Sequence, residues 1–270
     1  MNTFKRIKNK VAKKIAKNEK AALIFHIVIA SLIVLCLVRQ TINKNYFDVL
    51  LCGLSLILIS IPSRIESRTK VELPQTLEII VISFVFSAEI LGEIENFYFY
   101  IPLWDSLLHV TTGVLAAAVG FGMIDLINTH AKRISMTPIF VVAIAFCFSM
   151  TIAVFWEFFE YGADKIVRTD MQKDMIVSEI ATIKLDETNT NKSIAISDIS
   201  KTMVYDKDGN ILATFDGYLD IGLKDTMKDL FVNMLGAILF SIYGYLYLIK
   251  RDKYKFIEHI IISKQKPDAD

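Results

Sequence analysis

The chain has 270 residues, 53% of them hydrophobic, and a mean hydropathy of +0.44. That is too apolar for an ordinary soluble domain and fits a multi-span membrane protein. The formal net charge is only +1, so overall charge points to neither nucleic acid nor an acidic partner.

The first 20 residues carry eight Lys/Arg: Lys5, Arg6, Lys8, Lys10, Lys13, Lys14, Lys17 and Lys20. Phe4, Ile7, Val11 and Ile15 recur among them at helical spacing. The segment is expected either to lie on anionic inner-leaflet lipid as an amphipathic cytoplasmic helix or to act as a solvated topogenic charge run. The basic region is too long for a signal peptide and no small-residue cleavage site follows, so the first apolar run reads as a retained signal anchor. Six apolar stretches follow in order, at 21–38, 46–62, 74–92, 105–127, 138–161 and 226–249. Each reaches or approaches the ~20 residues that a membrane-spanning helix needs. Cys36, Cys52 and Cys147 fall inside these runs, an odd number that argues against a disulfide framework.

The loops set the direction. Arg39 and Lys44 lie in 39–45, Arg64, Arg68 and Lys70 in 63–73, and Lys132 and Arg133 in 128–137; 93–104 has no basic residue and the tail after Lys250 is basic again. The bias predicts cytoplasmic N- and C-termini, with 93–104 and 162–224 outside the cell membrane. The aromatics of "NFYFYIPLW" (96–104) belong at the outer boundary. The expected fold class is all-α integral membrane: a six-helix transmembrane bundle with a small extracytoplasmic insertion. Its parts are a basic segment 1–20, helices one to five within 21–161, the insertion 162–224, helix six at 225–250 and a tail 251–270.

Within the insertion, "LDETNTNKS" (185–193) reads as a polar loop, and Thr202–Tyr205 and Ile211–Phe215 as a β-hairpin around Asp208-Gly209. "DKDGN" is not an EF-hand loop: counted from Asp206, the sixth and twelfth positions are Ile211 and Gly217 instead of Gly and Glu.

Polar residues gather at one end of the expected bundle. "FWEFFEY" (155–161) puts Glu157 and Glu160 at the outer end of span five. Span four opens with Asp105 and His109, i and i+4 on one helix face. Span six opens with Asp225, Asp229 and Asn233, a stripe descending about 12 Å, and span three ends near Glu89. Lys224 and Lys228 are expected at the interface or turned away from the stripe. So many carboxylates cannot all stay ionised in low dielectric. Either some are protonated or a divalent cation is bound, by Glu157, Glu160, Asp225 and Asp229, with Asn233 and Glu89 lining the site. Oxygen-rich ligands suit Mg²⁺, Mn²⁺ or Ca²⁺ better than Zn²⁺. His109, oriented by Asp105, is the candidate general acid/base. Asp225 and Asp105 also serve as helix N-terminal caps on the alternative reading, and the cluster as a structural interhelical network. Trp156 and Tyr161 read as boundary anchors.

Three motifs carry a family resemblance. "DSLLHVTTG", "FWEFFEY" and "DTMKDLFVNMLGA", in that order over roughly residues 75–250, resemble the D-x-x-x-H-x-x-x-G, aromatic-flanked E-x-x-E and D-T-x-x-D…G-A motifs of the YjdF-like predicted bacterial membrane proteins, which are similar to the broader VanZ-like group. Where that family has a short glycine-containing stretch, this chain has the insertion. The resemblance implies a cell-envelope role and a shared site, not a reaction. Three functions compete: a metal-assisted enzyme acting on a lipid-linked or envelope substrate, a non-catalytic protein that binds envelope lipid or drug or serves as a scaffold, and an ion-coupled transporter. Membrane lipids are the expected partners.

Overall fold

A computed structural model describes residues 20–69, 71–130 and 136–264. The basic segment before Lys20, with its expected surface helix, lies outside the described residues. Helix α1 (Lys20–Ile42) is followed by α2 (Tyr46–Ile59), α3 (Ile61–Arg68), strand β1 (Val71–Glu72) and α4 (Gln75–Val85). α4 continues directly into a π-helix, Phe86–Ile94. Then come α5 (Phe97–Tyr100), α6 (Trp104–His130) and α7 (Pro138–Ile166), the insertion with strands β2 to β7, α8 (Leu223–Ile249), a 3-10 turn (Lys255–His259) and β8 (Ser263–Lys264).

Five described helical stretches are long and apolar enough to cross a membrane: 20–42, 46–66, 104–128, 138–166 and 223–249. The third expected span differs. Its 11-residue α4 gives way to a nine-residue π-helix, so a sixth continuous α-helical span is not present among the described residues. The apolar run was legible at 74–92; the widened turn was not, because hydrophobicity alone does not distinguish i→i+4 from i→i+5 bonding.

The described residues form two compact units, those up to 153 together with those from 232 onward, and residues 154–231. The first has two apolar clusters. One joins α1, α2, α4 and the π-helix through Ile29, Ile33, Cys52, Ile59, Ile82 and Ile90. The other joins α6, α7 and α8 through Ala117, Phe121, Val141, Ala145, Ala237 and Phe240. Two glycines set the α6–α8 approach. A Cβ on Gly113 would collide with the backbone oxygen of Asn233, and one on Gly236 with that of Val110. Each helix thus presents a glycine to the other's backbone, the close packing that small residues permit between membrane helices. Ser149 on α7 donates to the Gly113 carbonyl (3.0 Å).

Polar contacts separate the two ends of this unit. At one end Arg39 pairs with Glu95. At the other, Arg251 pairs with Asp125 at 2.8 Å, and β1 pairs antiparallel with β8, Val71 opposite Lys264. Loops 39–45 and 93–104 therefore share one end, while 63–73 and the tail share the other, as an alternating set of crossings requires.

In the second unit, β2 (Met175–Val177) pairs antiparallel with β7 (Tyr218–Asp220). Two hairpins lie between them, β3–β4 (Ile180–Thr182 with Ile194–Ile196) and β5–β6 (Thr202–Tyr205 with Ile211–Phe215). The β2–β7 pair joins the start of the insertion to its end. The β5–β6 hairpin has the strands expected from sequence. Its turn is held by Asp206, whose carboxylate accepts N–H bonds from Asp208 (2.9 Å) and Asn210 (2.8 Å), with Gly209 at φ +87°. The Asn210 side-chain amide and these backbone donors hold the Asp206 carboxyl below its usual range. The polar loop 185–193 is the connection of β3–β4. Asp186 organises it, accepting from the Thr188 hydroxyl and from the N–H groups of Lys192, Thr188 and Thr190, which lower its carboxyl to about 2. The three-residue strands β2, β3, β4 and β7 are too short to show an alternating pattern in the sequence.

Candidate functional site: buried carboxylates at the helix ends

The end of α7 is amphipathic in the sense opposite to that of a soluble helix. Phe155, Phe158, Phe159 and Tyr161 are each more than half exposed, whereas Glu157 and Glu160 are 4% and 7% exposed. The start of α8 repeats the pattern. Leu223, Met227 and Phe231 are exposed, while Asp225, Asp229 and Asn233 are 5%, 1% and 0% exposed. On α6, His109 is buried and Leu107 exposed. In water this arrangement would be unfavourable on both faces; in a bilayer the apolar residues meet lipid and the polar ones are kept out of it.

Hydrogen bonds fix several of these groups. His109 Nε2 lies 3.4 Å from Asp105 Oδ1, the i, i+4 pair expected on α6. Trp104, just before, donates its indole N–H to the Ser87 carbonyl of the π-helix (3.3 Å) and meets Phe97 edge-on. Glu160 accepts from the Trp156 indole at 2.8 Å, so Trp156 is tied to the carboxylate as well as being partly exposed. Asp225 Oδ2 accepts the Lys173 backbone N–H (2.9 Å), and Gln172 donates to the Thr226 hydroxyl (2.6 Å). Asp164, one turn beyond Glu160, accepts from the backbone of Met171 and Gln172. Residues 171–173 are thus strapped between α7 and α8. Asn233 donates weakly to Ser149 (3.5 Å), and its Oδ1 is buried with no hydrogen-bond partner among the described residues.

Of the two placements expected for Lys228, at the interface or turned away from the stripe, the second does not hold: its ammonium lies 3.3 Å from Asp225 Oδ1 and 3.5 Å from Asp229 Oδ1, with the side chain 43% exposed. A lysine one residue before Asp229 and three after Asp225 can curl back along the helix, its stem covering apolar surface while its head reaches the carboxylates.

Among the described residues, one group has the makings of a metal site. Asp105, His109 and Asp229 each offer a ligand atom, and these atoms lie within 4.8 Å of one another. Of the four carboxylates expected to ligate, only Asp229 belongs to this group; Asp105 and His109, expected as the acid/base pair, supply the rest. Glu89, Glu157, Glu160 and Asp225 are buried but outside it. Two carboxylates and one imidazole leave coordination positions for water or a substrate oxygen, the composition of an open site.

Neither a curated protein nor a solved structure matches the chain. Residues 24–250 match the family described as "Predicted membrane protein (DUF2238)", the one to which the YjdF-like resemblance points. That match takes in four of the five long helices whole, α1 from residue 24 onward, the insertion and every residue of the buried polar set, and the chain belongs to this family of membrane proteins.

Proposed function

We propose that this is a multi-pass cell-envelope protein that holds a divalent cation through Asp105, His109 and Asp229 at the extracytoplasmic ends of its helices. The cation would act on the phosphate of an amphiphilic substrate such as a lipid-linked phosphate or an envelope glycolipid. The observation that carries the reading is the inverted burial of α6, α7 and α8, with carboxylates and imidazole inside and aromatics outside. The close crossing of α6 and α8 also supports it. Gly113 meets Asn233 and Gly236 meets Val110, so the two helices touch backbone to backbone at 110–114 and 233–237. One turn earlier on each helix stand His109 and Asp229; another turn earlier on α6 stands Asp105. Two carboxylates with one imidazole suit Mn²⁺ or Mg²⁺, with Zn²⁺ also accommodated by the histidine. The cation would polarise a phosphoryl oxygen or activate water, and buried Glu157 and Glu160 supply further carboxylates for substrate water or a second ligand position. Basic loops favour cytoplasmic termini. The resemblance to YjdF-like and, through them, VanZ-like proteins, on the motifs above, favours an envelope role.

The test is release of inorganic phosphate from a polyprenyl diphosphate by the purified protein with Mn²⁺. Wild type is expected to turn over and His109→Ala is not. If the alanine variant also loses its ion, the imidazole is a ligand; if it keeps the ion, the imidazole moves the proton, oriented by Asp105. Equal turnover in both proteins would contradict either role.

A second reading has its own observation. The bonds Trp156–Glu160, Lys173–Asp225 and Lys228–Asp225 are those of a structural network, as expected of a non-catalytic lipid-binding or scaffold protein. It predicts that Asp229→Asn lowers stability without changing any ion content.

A further inference from the structure

We propose that the groove between α1 and the π-helix is a binding site for one zwitterionic glycerophospholipid bearing a primary ammonium, with an acyl chain in the groove and the headgroup across Arg39 and Glu95. The groove has a volume of about 510 Å³ and its walls include Leu32, Leu35, Phe86 and Ile90, a size within the usual range of small-ligand sites. Arg39 and Glu95 also line it. They form an ion pair and leave 49% and 38% of their side chains exposed. Arg39 is in the last turn of α1 and Glu95 follows the π-helix, so the charged end of the groove is where the apolar helices stop.

The charge pattern selects the occupant. Arg39 uses Nη2 for Glu95, and a guanidinium has five N–H donors in a planar fork, so several are left for a phosphate. Glu95 engages Arg39 through Oε1, which leaves Oε2 to accept from an ammonium. A phosphate and a primary ammonium joined by a short linker meet both charges at once. An anionic headgroup without an amine would bring its phosphate beside Glu95 uncompensated. A quaternary amine has no N–H to give. Phosphatidylethanolamine therefore fits, and phosphatidylglycerol and phosphatidylcholine do not.

This site shares no residue with the cation group and stands or falls separately from it. The full chain in detergent would be offered equimolar phosphatidylethanolamine, phosphatidylglycerol and phosphatidylcholine, and bound lipid read by native mass spectrometry. Wild type is expected to retain one phosphatidylethanolamine, and Arg39→Gln and Glu95→Gln to retain at least tenfold less of it. Leu35→Trp, a change at a lipid-exposed position that narrows the groove without touching the charges, is expected to do the same and guards against misfolding of the charge variants. Equal retention of the three lipids, a preference for phosphatidylglycerol, or unchanged retention in all three variants would overturn the proposal.

Discussion

Lys228 supplies a cation to a place crowded with carboxylates. Its ammonium contacts Asp225 and Asp229, which are almost wholly buried, while its own side chain is 43% exposed. A buried carboxylate without a counter-charge is costly, so the lysine offsets part of that cost and competes with any divalent ion for Asp229. Lys228→Met is expected to tighten Mn²⁺ binding roughly tenfold, about 1.4 kcal/mol, by titration calorimetry; weaker binding would mean that the ammonium supports the site. A different carboxylate governs the insertion. Asp186 is held at about 2 by the Thr188 hydroxyl and three backbone donors. A lowered carboxyl pKa stabilises the folded loop fully above about 4, the unfolded value, and the contribution fades as pH falls toward 2. Amide hydrogen exchange at Thr188, Thr190 and Lys192 should therefore accelerate between pH 4 and pH 2 in wild type beyond the ordinary trend. In Asp186→Asn it should be fast throughout. Exchange that is indifferent to the substitution would remove Asp186 from that role.

At the scale of the helices, the glycines of α6 and α8 decide whether the polar residues share a depth. Gly113→Ala or Gly236→Ala drives a methyl into the facing backbone and cannot be relieved by a rotamer change. The expected cost is about 1–3 kcal/mol, seen as a lower melting temperature in detergent, together with weaker Mn²⁺ binding because the register slips. Melting unchanged in both variants would mean that the helices are less closely packed than described. Much of this was legible beforehand. The i, i+4 pair Asp105–His109, the stripe Asp225–Asp229–Asn233 and the glutamates of "FWEFFEY" follow from helical periodicity, and the burial of each agrees. What was not legible depends on contacts distant in sequence or on side-chain path. The strap of 171–173 onto Asp164 and Asp225, the β2–β7 pair and the curl of Lys228 toward Asp229 leave no periodic mark. Sequence gives the depth of a residue on its helix but not how the helices are rotated about their axes, so it does not single out Asp105, His109 and Asp229 as the three whose ligand atoms lie together.

Over the whole molecule, the ion pairs Arg39–Glu95 and Arg251–Asp125 and the β1–β8 pair assign loops to opposite ends of one unit. The proposed orientation, with the basic loops and both termini cytoplasmic, rests on the positive-inside rule. In a cysteine-free background, Thr190→Cys in the insertion is expected to react with a membrane-impermeant maleimide in intact cells, and Asp252→Cys only after lysis; the reverse would invert the orientation. On the proposed function, the buried carboxylates and His109 exist for a cation. The most direct test is the divalent metal content of the purified protein in detergent, for wild type and Asp229→Asn, after exposure to Mn²⁺ and removal of free ion. One ion per chain in wild type and none in the variant is the predicted result. No retained ion in wild type, or the same content in both proteins, would contradict it and leave the polar cluster as a network that holds the helices together.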